Sequence, residues 1–266
     1  MRDFLSYDPA EFDPAKFDQV LSHPDPVKRA QMSVRRELPK RFYNAATAEP
    51  RDGGFAVLLD GRQVKTPSRR ALVAPTLAAA ELIAAEWAAQ GERIDPAVMP
   101  ASRIANSIID GVADNPEPVA AEIVKYSGTD LICYRADSPA RLVERQSAAW
   151  DPVLDWVEER LGARFLIGEG VVHVAQEPEA LAAVARCLDG ADAWRLGCLQ
   201  VMTTLTGSAL LSLMVADAAL DPEAAWLAAH IDEDWTVEHW GEDAEATSRR
   251  AFRKAEFLAA VTMLRG

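Results

Sequence analysis

The chain has 266 residues, 49% of them hydrophobic, and a formal net charge of −13 from 28 Lys and Arg against 41 Asp and Glu. That apolar content is ample for one large or two smaller domains and excludes disorder throughout. The excess of acids argues against nucleic acid, whose phosphates need Lys and Arg for affinity, and against anionic membrane surfaces; a charged partner should be basic, at least locally.

Residues 1–40 read as an extended N-terminal arm. The unit Asp8-Pro9-Ala10-Glu11-Phe12 is followed by Asp13-Pro14-Ala15-Lys16-Phe17, and a proline every few residues forbids a regular helix while leaving Phe4, Phe12 and Phe17 as anchors. Acids begin at Asp3 and no apolar run follows, which is neither a secretory signal nor a basic transit peptide and points to the cytoplasm. Between Val27 and Arg41 the sign reverses through Lys28, Arg29, Arg35, Arg36 and Lys40, a short basic segment expected to pair with its own acidic body.

A small antiparallel β-rich domain is expected over 41–100. Phe42 and Tyr43 open a first candidate strand, Gly53-Gly54 turns the chain, and Phe55 to Leu59 leads into Asp60-Gly61, a favoured hairpin turn because both positions accept positive φ. Arg62 to Lys65 returns antiparallel, Thr66-Pro67 interrupts the pairing, and Ala71 to Ala74 supplies another short strand. A sheet this small needs a helix to cover it, and an Ala-rich helix over 77–90 follows, with Trp87 as its one large apolar side chain. The remainder, 101–266, reads as a larger all-helical domain, with helices at about 102–111, 116–128, 139–162, 178–189, 192–218, 222–240 and 245–264 and a linker over 167–176. Trp150 lies on the apolar stripe of the helix that ends at Gly162. The fold class is therefore α+β.

The only long uncharged stretch, between Arg195 and Asp217, carries Gln200, Thr203, Thr204, Thr206, Ser208 and Ser212. Spanning a bilayer takes about 20 predominantly apolar residues, so the stretch reads as a buried core helix and no membrane insertion is expected. Cys133, Cys187 and Cys198 lie in apolar runs without a CxxC pair and read as small buried hydrophobes.

The densest stretch is Asp221 to Ala246. Asp221-Pro222 is a helix start and Gly241 a stop. Between them Trp226, His230, Glu233, Val237 and Trp240 recur at helical spacing, one stripe with a carboxylate in the middle. Three readings follow. Glu233 lies at the edge and reaches solvent; or His230 and Glu233, with Asp234 and His239, form a metal or acid/base site, with only His23 and His173 left as further histidines; or aromatic anchors rimmed by acids receive a partner protein. No Walker-type loop, G-x-G-x-x-G, G-x-S-x-G or H-E-x-x-H occurs, so neither cofactor nor metal is expected.

Collinear segments carry a family resemblance: Arg41-Phe-Tyr43 leading to Leu59-Asp60-Gly61-Arg62 and Thr66-Pro67; Glu86-Trp87; Asp130-Leu-Ile-Cys-Tyr-Arg135 with Trp150-Asp151-Pro152; and Glu233 to Gly241. Their order and spacing over about 40–260 resemble the assembly chaperones of the ATP synthase α subunit, found in mitochondria and related bacteria. The resemblance implies a non-enzymatic protein, a monomer by expectation, that binds the unassembled α subunit and promotes assembly of the soluble head. It also implies an essential acid in the region before the last helix, which falls on Asp232, Glu233 and Asp234, with Glu233 the first choice and Glu238 and Glu245 as rivals. Trp240 is placed with them at the contact edge, while Trp87, Trp150 and Trp226 are read as structural. The departures from mitochondrial members, the missing presequence and the Asp-Pro repeat, favour a bacterial cytoplasmic protein over the mitochondrial matrix of eukaryotic members. A small metal- or carboxylate-dependent enzyme centred on His230 and Glu233, or a generic adaptor, are the alternatives.

Overall fold

The structure, a computed structural model, describes residues 38–170 and 172–266; the repeat and the basic residues expected over 1–37 lie outside the described residues. The first strand starts later than the sequence suggests. Arg41 donates to the carbonyls of Tyr43, Asn44, Ala88 and Gln90, which fixes 41–44 across the end of a helix. Tyr43 is buried there, its hydroxyl donating to the Trp87 carbonyl at 2.6 Å. β1 (Ala46–Arg51) and β2 (Gly54–Leu59) then pair antiparallel, from Ala46 opposite Leu59 to Arg51 opposite Gly54.

Asp60 and Gly61 both take positive φ, 47° and 78°, as the dipeptide predicts, and β3 (Arg62–Gln63) returns along β2. The Asp60 carboxylate also accepts from the N–H groups of Asn44 and Ala45, which lowers its pKa. β4 (Val73–Ala74) pairs antiparallel with the start of β2. At that crossing a Cβ on Gly54 would collide with the Ala74 carbonyl, and Gly54 has φ 144°, so only glycine fits.

α1 (Leu77–Ala88), capped by Thr76, lays Ala80, Ile83, Ala84 and Trp87 into the core beneath the sheet. α2 (Pro100–Ser107) begins before the expected position because a cap reaches it from elsewhere. The Glu86 carboxylate, on α1, accepts from the N–H groups of Ala101 and Ser102 at 2.6 and 2.8 Å and from the Ser102 hydroxyl at 2.8 Å. A π turn carries the chain from Ile108 to Val112.

α3 (Glu117–Ser127), β5 (Tyr134–Arg135) and α4 (Ala140–Leu161) follow. β6 (Gly168–Glu169), inside the expected linker, pairs parallel with β5, and α5 (Pro178–Leu188) comes next. Two expected long helices are each broken. α6 (Ala193–Thr206) stops at Gly207, φ 69°, and α7 (Ala209–Ala216) restarts under two caps. The Ser208 hydroxyl accepts from the Leu211 N–H and the Asp130 carboxylate from the Leu210 N–H, both at 3.0 Å. α8 (Pro222–Ala229) and α9 (Ile231–Trp240) separate at His230, whose φ of −119° leaves the helical region. α10 (Ala244–Arg265) ends the chain. Among the described residues no helix is long and apolar enough to cross a membrane.

The result is an α+β fold in which a small antiparallel sheet is joined to a mostly helical body. Two apolar cores organise it. The first joins the sheet and α1 to Trp194, Cys198 and Met202 of α6, Trp226 of α8 and Phe257 to Met263 of α10. The second gathers Ile123, Ile132, Trp150, Val153, Val157 and Leu210 around Leu196 and Leu199, on α6 as well, with Ile231 at its edge. Cys133 and Cys198 lie inside these cores, and burial pushes their thiols up to about 12.

Phe257 is fully buried in the first core, against Trp226, and Phe257→Ala is expected to cost about 3–5 kcal/mol in urea denaturation by cavity formation. Asp130 is fully buried too, and burial pushes its carboxyl up to about 6 against the opposing pull of the Ser208 hydroxyl and backbone N–H donors. Its folded pKa thus exceeds the unfolded value of 3.8, so its contribution to stability is full below 3.8 and falls as pH rises through 6. Relative to Asp130→Asn, the unaltered protein should therefore gain stability between pH 7 and pH 4.5, a window lying across that rise; urea midpoints across the series measure it.

Candidate functional site

α8 begins where Asp221 accepts from the N–H groups of Glu223 and Ala224 at 2.9 and 3.1 Å, with Pro222 at the first helical position. Trp226 is buried, packed on the His230 ring with centroids 3.9 Å apart and against Phe257 at 5.5 Å. His230 is 3% exposed. Its Nδ1 lies 2.7 Å from the Trp226 carbonyl, which can only accept, so Nδ1 carries the proton and Nε2 is left bare. Burial lowers the His230 pKa, which favours the neutral ring.

The break at His230 divides the five-residue stripe. Trp226 and His230 belong to the interior, whereas Glu233, Val237 and Trp240 lie on α9, which buries only Ile231. Trp240 is 87% exposed. The metal reading finds no support in this geometry: Glu233 Oε2 is 4.0 Å from His230 Nε2, His173 is bonded to Tyr134 instead, and no group of three or more His, Cys, Asp or Glu suited to a metal occurs among the described residues.

The acids of α9 are unequally engaged. Asp232 accepts from Gln146 Nε2 at 2.7 Å, and that buried glutamine accepts from the Ala136 N–H at 2.8 Å. Asp234 pairs with Arg250 of α10 and lies 3.9 Å from Arg145 of α4. Glu238 pairs with Arg145 at 2.7 Å. Glu245, at the start of α10, pairs with Arg249 one turn along at 2.6 Å. Glu233 is held loosely, with Arg253 at 3.9 Å and its carboxylate 55% exposed. Of these five acids, Glu233 alone has no hydrogen-bonding or close ionic partner among the described residues. α9 keeps Glu233 and Trp240 two turns apart on one face, roughly 10 Å along the axis.

Arg145, Gln146, Arg250 and Arg253 are the residues that sequence reasoning passed over. The signal for the last two was present, since Arg249, Arg250, Arg253 and Lys254 recur at helical spacing just after the acidic run. Trp87 and Trp150 are buried: Trp87 meets Tyr43 edge-on at 5.7 Å, and the Trp150 indole donates to the Ala228 carbonyl at 2.8 Å.

The fold and this acidic, tryptophan-bearing face define a two-core α+β protein with an exposed, charged helical hairpin. A family model described as ATP12 chaperone protein matches residues 40–158. The chain is 48% identical to a putative chaperone from Agrobacterium tumefaciens of known crystal structure, with 94% of each chain covered and a TM-score of 0.81. It is 39% identical to the crystal structure of Atp12 from Paracoccus denitrificans, with 85% of this chain and 97% of that one covered and a TM-score of 0.77. The mitochondrial protein atp12 of Schizosaccharomyces pombe is 23% identical over 214 residues, 76% of this chain and 74% of that protein. The chain belongs to the ATP12 chaperone family, whose members are ATP synthase assembly chaperones.

Asp234 joins α9 to α10 and faces α4, so Asp234→Ala is expected to lower stability by about 1 kcal/mol in urea denaturation, while Glu233→Ala stays within about 0.5 kcal/mol of the unaltered protein.

Proposed function

We propose that this protein binds the unassembled α subunit of F-type ATP synthase through the Glu233 face of α9, with Trp240 as its apolar contact, and shields that subunit until the β subunit takes its place. The loose engagement of Glu233 carries the reading. Asp232, Asp234 and Glu238 already serve internal contacts, whereas Glu233 presents an exposed carboxylate to an incoming Arg or Lys.

An isolated α subunit exposes the apolar surface that normally meets its neighbour, an aggregation hazard. A carboxylate beside an aromatic anchor covers such a surface while limiting purely hydrophobic adhesion, so that the subunit can be released. The role requires no catalysis, cofactor or nucleotide, and a bacterial cytoplasmic monomer suits it.

Purified protein should suppress α-subunit aggregation without added metal or nucleotide. Glu233→Lys should weaken α-subunit binding about tenfold or more, corresponding to about 1.4 kcal/mol, without loss of stability. Intact binding by that variant would remove Glu233 from the interface, and stoichiometric tightly bound zinc, iron or manganese would reopen the enzymatic reading.

A further inference from the structure

Neither apolar core includes any side chain between Ile231 and Phe257. Trp235 and Val237 are half-buried yet belong to neither core, and every residue from Glu238 to Arg249 is exposed. This is unlike the elements on either side, since Trp226 and Phe257 are both core residues.

Polar contacts hold the segment to the body. Arg145 of α4 reaches Glu238 at 2.7 Å, and Gln146 donates to Asp232 at 2.7 Å. Lys254 of α10 pairs with Glu223 of α8 at 2.5 Å, Glu256 with Arg103 of α2 at 3.1 Å, and Arg253 donates to the Leu205 carbonyl at 2.8 Å. Both ends of α9 are discontinuities: His230, anchored in the interior, and Gly241, φ 90°. Partly exposed ion pairs contribute little stability each and are screened by salt.

We infer that α9 and the first half of α10, residues 232–256, form an ionically latched arm that opens independently of the two cores, and that opening enlarges the apolar surface beside Glu233. Opening is a sub-global event, because the segment has exposed backbone and no buried apolar anchor. It frees the half-buried Trp235 and Val237 for a partner whose basic groups compete with Arg145 and Arg250 for Glu238 and Asp234. The arm's mobility is a property of the free protein; only its use in binding rests on the function proposed above.

Hydrogen exchange of the whole protein, without partner, tests it. Amides of 233–253 should exchange roughly tenfold or more faster than those of 196–202 in α6. Raising salt to about 1 M, where the Debye length falls to about 3 Å, should accelerate the arm several-fold further and leave 196–202 unchanged. Arg145→Gln and Lys254→Gln, which each remove a pair between the arm and the body, should each reproduce the acceleration at low salt, and the salt series on the unaltered protein needs no variant to fold. Exchange of the arm at the rate of α6, or an arm rate indifferent to salt, overturns the inference. Either result leaves the partner assignment standing, just as loss of α-subunit binding leaves the latch standing.

Discussion

Strands β1 to β4 carry an apolar face that their own hairpins cannot cover, and α1 covers it. α1 supplies Ile83, Ala84 and Trp87, and the last helix packs against α1 and extends the same core with Phe257, Ala260 and Met263. A small sheet without such cover is marginal in water, so the strands depend on α1 and on the helices that hold α1 in place. This closure fixes α10 against α6, where the Trp194 indole donates to the Met263 carbonyl at 2.9 Å. α6 faces the second core with Leu196 and Leu199, so this helix is shared by both cores.

α10 thereby has two characters. Its second half is interior, whereas its first half, with α9, stands outside both cores and is bound by carboxylates and guanidinium groups. A chaperone must hold a subunit against aggregation and then release it, and a face built from exposed charge around one projecting indole suits both demands. The internal pairs spend most of that charge locally, so the dense acidic sequence amounts to far less free negative potential than its composition suggests. What remains available lies at Glu233 and at the exposed Glu242.

The segments that carried the family resemblance turn out to be joints. Glu86 caps α2 while its neighbour Trp87 is buried, and the Asp60 turn is tied back to Asn44 and Ala45. Arg135 is buried, donating to Asp151 at 2.8 Å and lying over the Trp150 ring at 5.1 Å. Asp130 stitches its own turn to α7. Arg135 and Asp130 are charged in the interior and therefore demand particular partners. That demand accounts for their place in the collinear pattern of this sequence.

Local chemistry determined what the sequence alone could show: the Asp60-Gly61 hairpin, the Asp221-Pro222 helix start, the Gly162 stop, the division into a small sheet and many helices, and the acidic run itself. Each rests on φ preferences, caps or periodicity within a few residues. The breaks at Gly207 and His230, the early start of α2 and the pairing of β5 with β6 depended on partners remote in sequence, Asp130 and Glu86 among them. Periodicity placed Trp226, His230, Glu233, Val237 and Trp240 on one stripe because it assumed an unbroken helix. Only the tertiary structure decided that the first two lie inside and that Arg145, Gln146 and Arg250 engage the acids beside Glu233, because cross-helix pairing is set by packing between elements rather than by the order of residues within one.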